Sequence, residues 1–343
     1  MKNSNLKIAI IGAGWYGCHI ASFLLDKGIE IQIFDKADSF FTGASGFNQN
    51  RLHLGFHYPR CSKTRFFSKN GFQLFKKKYP TLSNVIDKNY YCIHKTKSLL
   101  DFETYKMVMN AEKLKFKNVD NDLFFKLHNI EGIIDCEEEY IDHVKAKNYF
   151  ESKLGSFFNG KCEINKNNIN SYLDHYDWVI DCTWGGYKNY LPKQIYYEAC
   201  IFMIYESALK EKVALTVMDG KLFSLFPFEN NLYSLTSVKE TPFSLHSNQQ
   251  EARDACNSIM EDKEMIDKKI SLFEKEINSV FPDFKKHFSF SRVETSIKTK
   301  FKSEADSRIV EYFIEDNIIS IFAGKIDTVF YAENIIEKEI FNE

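Results

Sequence analysis

The spacing of apolar and polar positions changes period along the chain. KIAII (7–11) is an apolar run of strand length, CHIASFLLDKG repeats apolar residues at helical spacing as far as Gly28, and EIQIFDK (30–36) returns to a strand pattern. In the middle, NYYCIHKTKS reads as a strand and FETYKMVMNAEKL as a helix. YYEACIFMIYES, VALTVMDG, LFSLFPFENN and LYSLTSVKETPF follow, and the turns MDGK and ENN between them predict antiparallel hairpins. Beyond these, Ile259, Ile266, Ile270, Phe273 and Ile277 recur at helical spacing among charged residues, which predicts an amphipathic helix covering a sheet. IISIF (318–322) is a buried strand, and the helix VFYAENIIEKEI comes after it with Thr328 at the N-cap position.

Composition narrows the class. The 343 residues suggest about two domains. Lys plus Arg (45) nearly balances Asp plus Glu (47), so no broad electrostatic argument favours nucleic acid, and a small-molecule substrate is the better default. None of the 8 Cys residues forms a C-x-x-C pair, which argues against a zinc ribbon or dithiol motif; reduced thiols in a cytoplasmic protein are expected, with no metal. No segment reaches the roughly 18 continuous apolar residues of a membrane span, so no integral membrane association is expected.

The first strand, glycine turn and helix carry the chemistry. GAGWYG is Gly12-x-Gly14-x-x-Gly17, with Trp15 and Tyr16 opening the helix. Gly12 permits the tight turn, Gly14 lets backbone N–H groups approach a pyrophosphate, and Gly17 lets helix and strand pack closely. The helix N-terminus faces the phosphates. Asp35, beside Lys36 at the end of the second strand, is placed to accept from a ribose hydroxyl and would repel a 2′-phosphate, which disfavours NADP.

The residues after Asp35, KADSFFTGASGFNQNRLHLGFHYPRC, resemble the D-amino-acid-oxidase-like superfamily of FAD-dependent oxidoreductases, which includes glycerol-3-phosphate dehydrogenase and glycine oxidase. Thr42, Gly43, Ala44 and Ser45 match a small-residue turn that the family lays against the FAD pyrophosphate. The stretch through Asn48, Asn50, Arg51, Leu52 and His53 matches the one beside the isoalloxazine. EGIID (131–135) is similar to the family's strand before the helix EEEYIDHVKAKNYFESKLG. YDWVIDCTWGGY is similar to its apolar strand ending in a Thr-Gly element, with Trp184 inserted between Thr183 and Gly185. GKIDT (Gly324, Lys325, Ile326, Asp327, Thr328) is close to the closing turn of the glycerol-3-phosphate dehydrogenases.

The resemblance implies an α/β protein with a Rossmann-like FAD-binding domain and an inserted α+β substrate domain built on a mixed or antiparallel sheet. The FAD domain is assigned to residues 1–80, 130–195 and 286–343, and the substrate domain to 81–129 and 196–285. It implies oxidation of a C–N or C–OH bond of a small anionic substrate by hydride transfer to the flavin, with oxygen, a quinone or another acceptor restoring it. A non-redox flavoenzyme acting on nucleotide sugars and a non-catalytic flavin-binding protein are the alternatives.

Arg292, in FSFSRVETSI, matches a family position that often pairs with a substrate anion, and its guanidinium fork suits that task. His53 and His57 are candidate general bases, since imidazole titrates near neutral pH. Their i, i+4 spacing is not read as a metal pair, because Gly55 and Pro59 oppose a continuous helix. Arg51, Tyr58 and Arg60 are candidate flavin or substrate contacts, each equally a structural hydrogen-bonding residue, and Tyr233 is a candidate substrate contact on the sheet, where an aromatic is equally a core residue. Lys325 would add positive charge near the flavin, or would be an ordinary loop lysine.

Overall fold

The computed structural model describes residues 6–120, 123, 125–187, 194–302 and 310–341. Two sheets dominate it. The first has six strands in the order Glu311–Glu315, Ile318–Phe322, Trp178–Asp181, Lys7–Ile11, Glu30–Phe34 and Phe158–Asn159. All neighbours are parallel except the hairpin pair at the Glu311–Glu315 edge. The central strand Lys7–Ile11 is buried at four of its five positions, as a continuous apolar run in a parallel sheet should be.

Register sets where the loops emerge. Ile11 stands opposite Phe34 on one side and Asp181 on the other, and Asp181 stands opposite Ser320. The carboxyl ends of four strands are therefore level. The glycine turn, Asp35, Thr183 and the Gly324–Thr328 turn all leave from this one edge, where open α/β sheets bind their ligands.

The helix Trp15–Asp26 packs against this sheet, and its Trp15 indole is buried among Phe41, Phe75, Tyr79 and Phe150. It is tied to the C-terminal helix Val329–Ile336 by His19, whose ring contacts Phe330 and whose Nε2 lies 3.0 Å from Glu333. Thr328 does occupy the N-cap position of that helix, but its hydroxyl does not cap it. The hydroxyl turns back to the Lys325 carbonyl at 2.9 Å, across a 3₁₀ turn, Ile326–Thr328, that precedes the helix.

The larger sheet is mixed. Ile195–Ser207 pairs along its whole length with Phe288–Phe301 on one side, and on the other with Pro242–His246 and then Leu232–Ser237. The predicted hairpins follow through Phe223–Glu229 and Val213–Met218, after which Lys88–His94 joins in parallel and Ile130–Cys136 and Phe116–Val119 complete the sheet. Two strands grouped on sequence with the cofactor side, Ile130–Cys136 and Phe288–Phe301, thus take their hydrogen bonds in this sheet. Strand periodicity does not reveal which edge a strand will find.

A third sheet of three short strands, Arg51–Leu52, Glu139–Ile141 and Ser83–Val85, supplies a further element. The segment 137–155, expected as a helix, gives Glu139–Ile141 to this sheet and only then becomes the helix His143–Leu154, capped by Asp142 accepting from Lys145 N–H. The expected amphipathic helix is two helices, Gln249–Glu261 and Lys263–Asn278, because Asp262 ends the first and caps the second through Met265 N–H. Together they cover the sheet through Ala252, Cys256, Ile259, Phe273 and Ile277.

The helix Ser62–Lys78 meets the closing turn with almost no gap: a Cβ built on Gly71 would lie 1.9 Å from the Asp327 carbonyl oxygen. The substitution Gly71→Ala must push the helix from the turn, and overpacking of this kind costs about 1–3 kcal/mol. Denaturant unfolding of G71A should show that loss, with weakened retention of whatever the turn holds.

Candidate active site

The glycine turn is built as a cradle. Gly12 has φ +102°, and a Cβ there would meet the Cys182 carbonyl at 3.0 Å. A Cβ on Gly17 would stand 1.8 Å from the Gly12 oxygen, so helix and turn approach only because it is glycine. Asp35 clamps the turn from the second strand, accepting from Ala13 N–H at 2.7 Å and from Ala37 N–H at 2.9 Å. Each carboxylate oxygen keeps further lone-pair capacity for a ribose hydroxyl. Lys36 beside it is exposed.

Ser45 lies over the opposite lip. Its Oγ accepts from the N–H of Trp15, at 3.0 Å, the first donor of the helix N-terminus. A hydroxyl therefore stands where phosphate oxygens are bound in dinucleotide folds. A Cβ on Gly14 would come within 2.8 Å of the same Oγ. Ala44 is fixed beside it through its carbonyl, which accepts from the Asn48 side chain. Trp15 thus contributes a backbone donor while its ring serves the core.

Head and tail of the chain are joined directly. The Tyr16 hydroxyl lies 2.9 Å from the Lys325 carbonyl oxygen and 2.8 Å from Thr328 Oγ1. Lys325 is no surface lysine: its ammonium is buried, 3.0 Å from Asp327, hydrogen-bonded to Ser68, and 4.3 Å over the Tyr58 ring. Burial works against the charge, but Asp327 and Tyr58 outweigh it and hold the lysine pKa above its ordinary value. Ile326 sits half-buried between these two, and Gly324 is exposed at the start of the turn.

On the third side, Thr183 is held by Asp181, which accepts from its N–H at 2.9 Å and its hydroxyl at 2.6 Å. The inserted Trp184 adopts φ +56° and, with Gly185, turns the chain toward the larger sheet. There the Trp184 carbonyl accepts from Thr299 and the Gly185 carbonyl from Tyr197. The insertion is used as a bracket between the sheets.

His53, His57 and Tyr58 pack as a ring cluster, with centroids 5.2–5.5 Å apart. Gly55, at φ +119°, makes the bend between the two histidines. Sequence reasoning missed the residue that organises them. Glu138, buried at 1 % exposure, accepts from Leu54 N–H at 2.7 Å, Gly55 N–H at 3.2 Å and the Tyr91 hydroxyl at 2.6 Å. Its other contact is His53 Nδ1, 3.4 Å away. Burial opposes ionisation of Glu138, but His53, Tyr91 and the Leu54 N–H together hold its pKa below the ordinary range. Burial lowers the His53 pKa, Glu138 opposes that shift, and Lys325 and Arg51 add to it. In the sequence Glu138 lies within an acidic run, and no local signal sets it apart from Glu137 and Glu139.

Arg51 and Leu52 form the short strand beside this cluster, with Leu52 fully buried and Asn50 at φ +48° before them. Arg60, at the far end of the segment, pairs with Asp219 at 2.7 Å. Two other candidates lie elsewhere. Tyr233 is in the core of the larger sheet, packed on Phe288 with its hydroxyl accepting from Val213 N–H, so its side chain is committed to packing. Arg292 is 42 % exposed and bound to Glu294 at 2.6 Å, with Glu229 at 4.0 Å. It lies seven residues along a strand from Thr299, the contact of Trp184, which is about 23 Å at strand rise.

The glycine cradle, the helix N-terminus under Ser45 and the acid ending the second strand fit a dinucleotide, and with the second, largely antiparallel sheet they define a two-sheet, dinucleotide-binding α/β protein. Comparison with known proteins agrees. Residues 10–88 match the NAD(P)-binding Rossmann-like domain family. The chain is 35 % identical over 342 residues to the FAD-dependent monooxygenase FPY4 of Fusarium mangiferae, covering 98 % of this chain and 91 % of that one. It is 27 % identical over 373 residues to the FAD-dependent monooxygenase kojA of Aspergillus flavus, covering 96 % and 84 %. The fold is similar to glycine oxidase from Geobacillus kaustophilus (11 % identity, TM-score 0.70, 99 % and 96 % covered). It is also similar to L-alpha-glycerophosphate oxidase from Mycoplasma pneumoniae with FAD bound (12 % identity, TM-score 0.72, 98 % and 94 %). The chain belongs to the FAD-dependent family that includes the Fusarium relative, on a D-amino-acid-oxidase-like fold; it is an FAD-dependent oxidoreductase. No helix of the described residues is long and apolar enough to cross a membrane.

The cradle makes a direct prediction. A side chain at Gly14 must displace Ser45 from the helix N-terminus. G14V should therefore purify with little of the visible flavin absorbance per protein that the unaltered chain carries, while far-ultraviolet circular dichroism stays close to it.

Proposed function

We propose that this oxidoreductase removes hydrogen from a C–N or C–OH bond of a small substrate, with His53 as the general base. The observation that carries this reading is the buried His53–Glu138–Tyr91 arrangement beside the Lys325 turn. When bound, the flavin supplies the acceptor for hydride; the protein must take the accompanying proton.

Glu138 is acceptor-only, so a proton on His53 Nδ1 facing it leaves the Nε2 lone pair for a substrate N–H or O–H. Glu138 also stabilises the imidazolium that forms. Tyr91 and two backbone N–H groups fix the carboxylate, so the base does not depend on water for its orientation. Lys325, closed onto Asp327 and Tyr58, keeps a positive charge at the same edge.

Oxygen insertion is the second reading, favoured by the names of both relatives, which are called FAD-dependent monooxygenases. Anaerobic mixing of purified protein with amines, hydroxy acids and sugars separates the two. Bleaching of the flavin by substrate alone supports dehydrogenation, whereas a need for a nicotinamide reductant and label from isotopic dioxygen in the product supports insertion. No bleaching and no product under either regime would count against both readings.

His53→Asn should lower kcat/KM by roughly 10²–10⁴ with the flavin spectrum intact, the usual contribution of a positioned base. The pH profile tests the pair. A base works when neutral, so activity should rise with pH through the His53 pKa, which burial has moved below its ordinary value. Glu138→Gln removes the charge that opposes this shift, so the acidic limb should move to still lower pH. A limb that moves upward would contradict the arrangement.

A further inference from the structure

Three elements enclose the closing turn, and all three meet at one buried histidine. The first helix reaches the turn through the Tyr16 hydroxyl, which contacts the Lys325 carbonyl and Thr328. The helix Ser62–Lys78 reaches it through Ser68 and Gly71. The helix Val329–Ile336 grows directly out of it. His19 stands three residues after Tyr16, on the same face of the first helix, and is fully buried. Its Nδ1 lies 2.7 Å from the hydroxyl of Tyr79, the residue that ends Ser62–Lys78, and its Nε2 lies 3.0 Å from Glu333 on the last helix. Phe330, two residues past Thr328, meets its ring edge-on at 4.9 Å between centroids.

The protons in this junction have one good arrangement. The Glu333 carboxylate can only accept, which favours the tautomer with its proton on Nε2 and leaves the Nδ1 lone pair for the Tyr79 O–H. The approach to Glu333 is close but off the line of a good hydrogen bond, so that side contributes mainly charge. A second proton, on Nδ1, would point at the Tyr79 O–H. The hydroxyl would then have to turn its own proton away, and no other acceptor meets it among the described residues. The other titratable groups around the pair are Cys18 and Tyr149, with Asp26 and Lys78 joined to each other at 3.1 Å. Burial lowers the His19 pKa, Glu333 opposes that shift, and Lys78 adds to it.

We infer that His19 is the positioning residue that latches the tail of the chain to its head, and that the latch holds while the ring is neutral, so that acid loosens the closing turn and releases the flavin. The link to flavin rests on the reading that the closing turn belongs to the flavin site, while the latch itself stands on the junction of three helices. A histidine whose pKa is lower when latched than when free takes its extra proton more readily in the loosened state. The hold is therefore full above the ordinary histidine range. It weakens as pH falls through that range and levels off once the pH is below the latched pKa. One such group changes the hold by at most about tenfold per pH unit.

The test follows the flavin-loaded protein from pH about 7.5 down to about 5, across the ordinary histidine range, with two readouts. One is the fluorescence of released flavin; the other is amide hydrogen exchange of residues 329–336, corrected for its intrinsic pH dependence. Both should rise in acid for the unaltered protein. Glu333→Gln removes the charge that favours the imidazolium, so its acid rise should be larger. Tyr79→Phe keeps the aromatic packing but removes the donor that favours the neutral ring, so its rise should be smaller. His19→Gln should release flavin faster at neutral pH and lose the acid rise, whereas His53→Asn, which alters the other buried imidazole, should keep it. A flat response of both readouts in the unaltered protein would overturn the inference. So would an unchanged acid rise in H19Q, or movement of E333Q and Y79F in the same direction. Exchange that rises in acid through His19 while flavin stays bound would overturn the link to flavin alone, and with it the placing of the closing turn in the flavin site.

Discussion

The level carboxyl ends of four parallel strands hold the site together. Ile11, Phe34, Asp181 and Ser320 stand in register, so four loops drawn from both ends and the middle of the chain open at one edge. The hydrogen bonds of a parallel ladder allow no independent adjustment of any one of them. The Tyr16 hydroxyl then closes the edge by joining the first helix to the last turn. Glycines at 17 and 71 let these parts approach to distances that a methyl group would forbid, and Gly12 supplies the φ of +102° that the turn needs.

Around that edge the protein concentrates charge in places where charge is costly. Two buried sets stand out: Glu138 collects Tyr91, His53 and two backbone donors, and Lys325 is enclosed by Asp327, Ser68 and Tyr58. These contacts hold the groups in place, which suits side chains that must orient a proton or hold a field. The Arg51 nitrogens, like the Asn50 side-chain oxygen and both Asp327 carboxylate oxygens, are buried without a hydrogen-bond partner among the described residues.

The larger sheet contributes mainly by position. Thr299 and Tyr197 take hold of the Trp184–Gly185 bracket, Phe226 carries the Arg51 guanidinium, and Lys88–His94 brings Tyr91 to Glu138. Its long strand Phe288–Phe301 reaches the cofactor side at Thr299 and leaves it by Arg292, which is why one strand holds both a contact of the site and a surface ion pair.

Elements whose signals are local were legible in the chain alone. The strand, the three spaced glycines, the helix and the terminal Asp35 follow one another without interruption and need only backbone sterics to be read. The hairpins and the closing strand were legible for the same reason. Folding in three dimensions was needed to assign Ile130–Cys136 and Phe288–Phe301 to the larger sheet, to divide a helical pattern in two at Asp262, and to bury Lys325. It was needed also to bring Glu138, and not a neighbouring acid in the same run, to His53, and to leave Arg51 without an acceptor among the described residues where Arg292 has one. Burial and partnership are properties of distant segments brought together, and no periodicity along one segment records what will cover it.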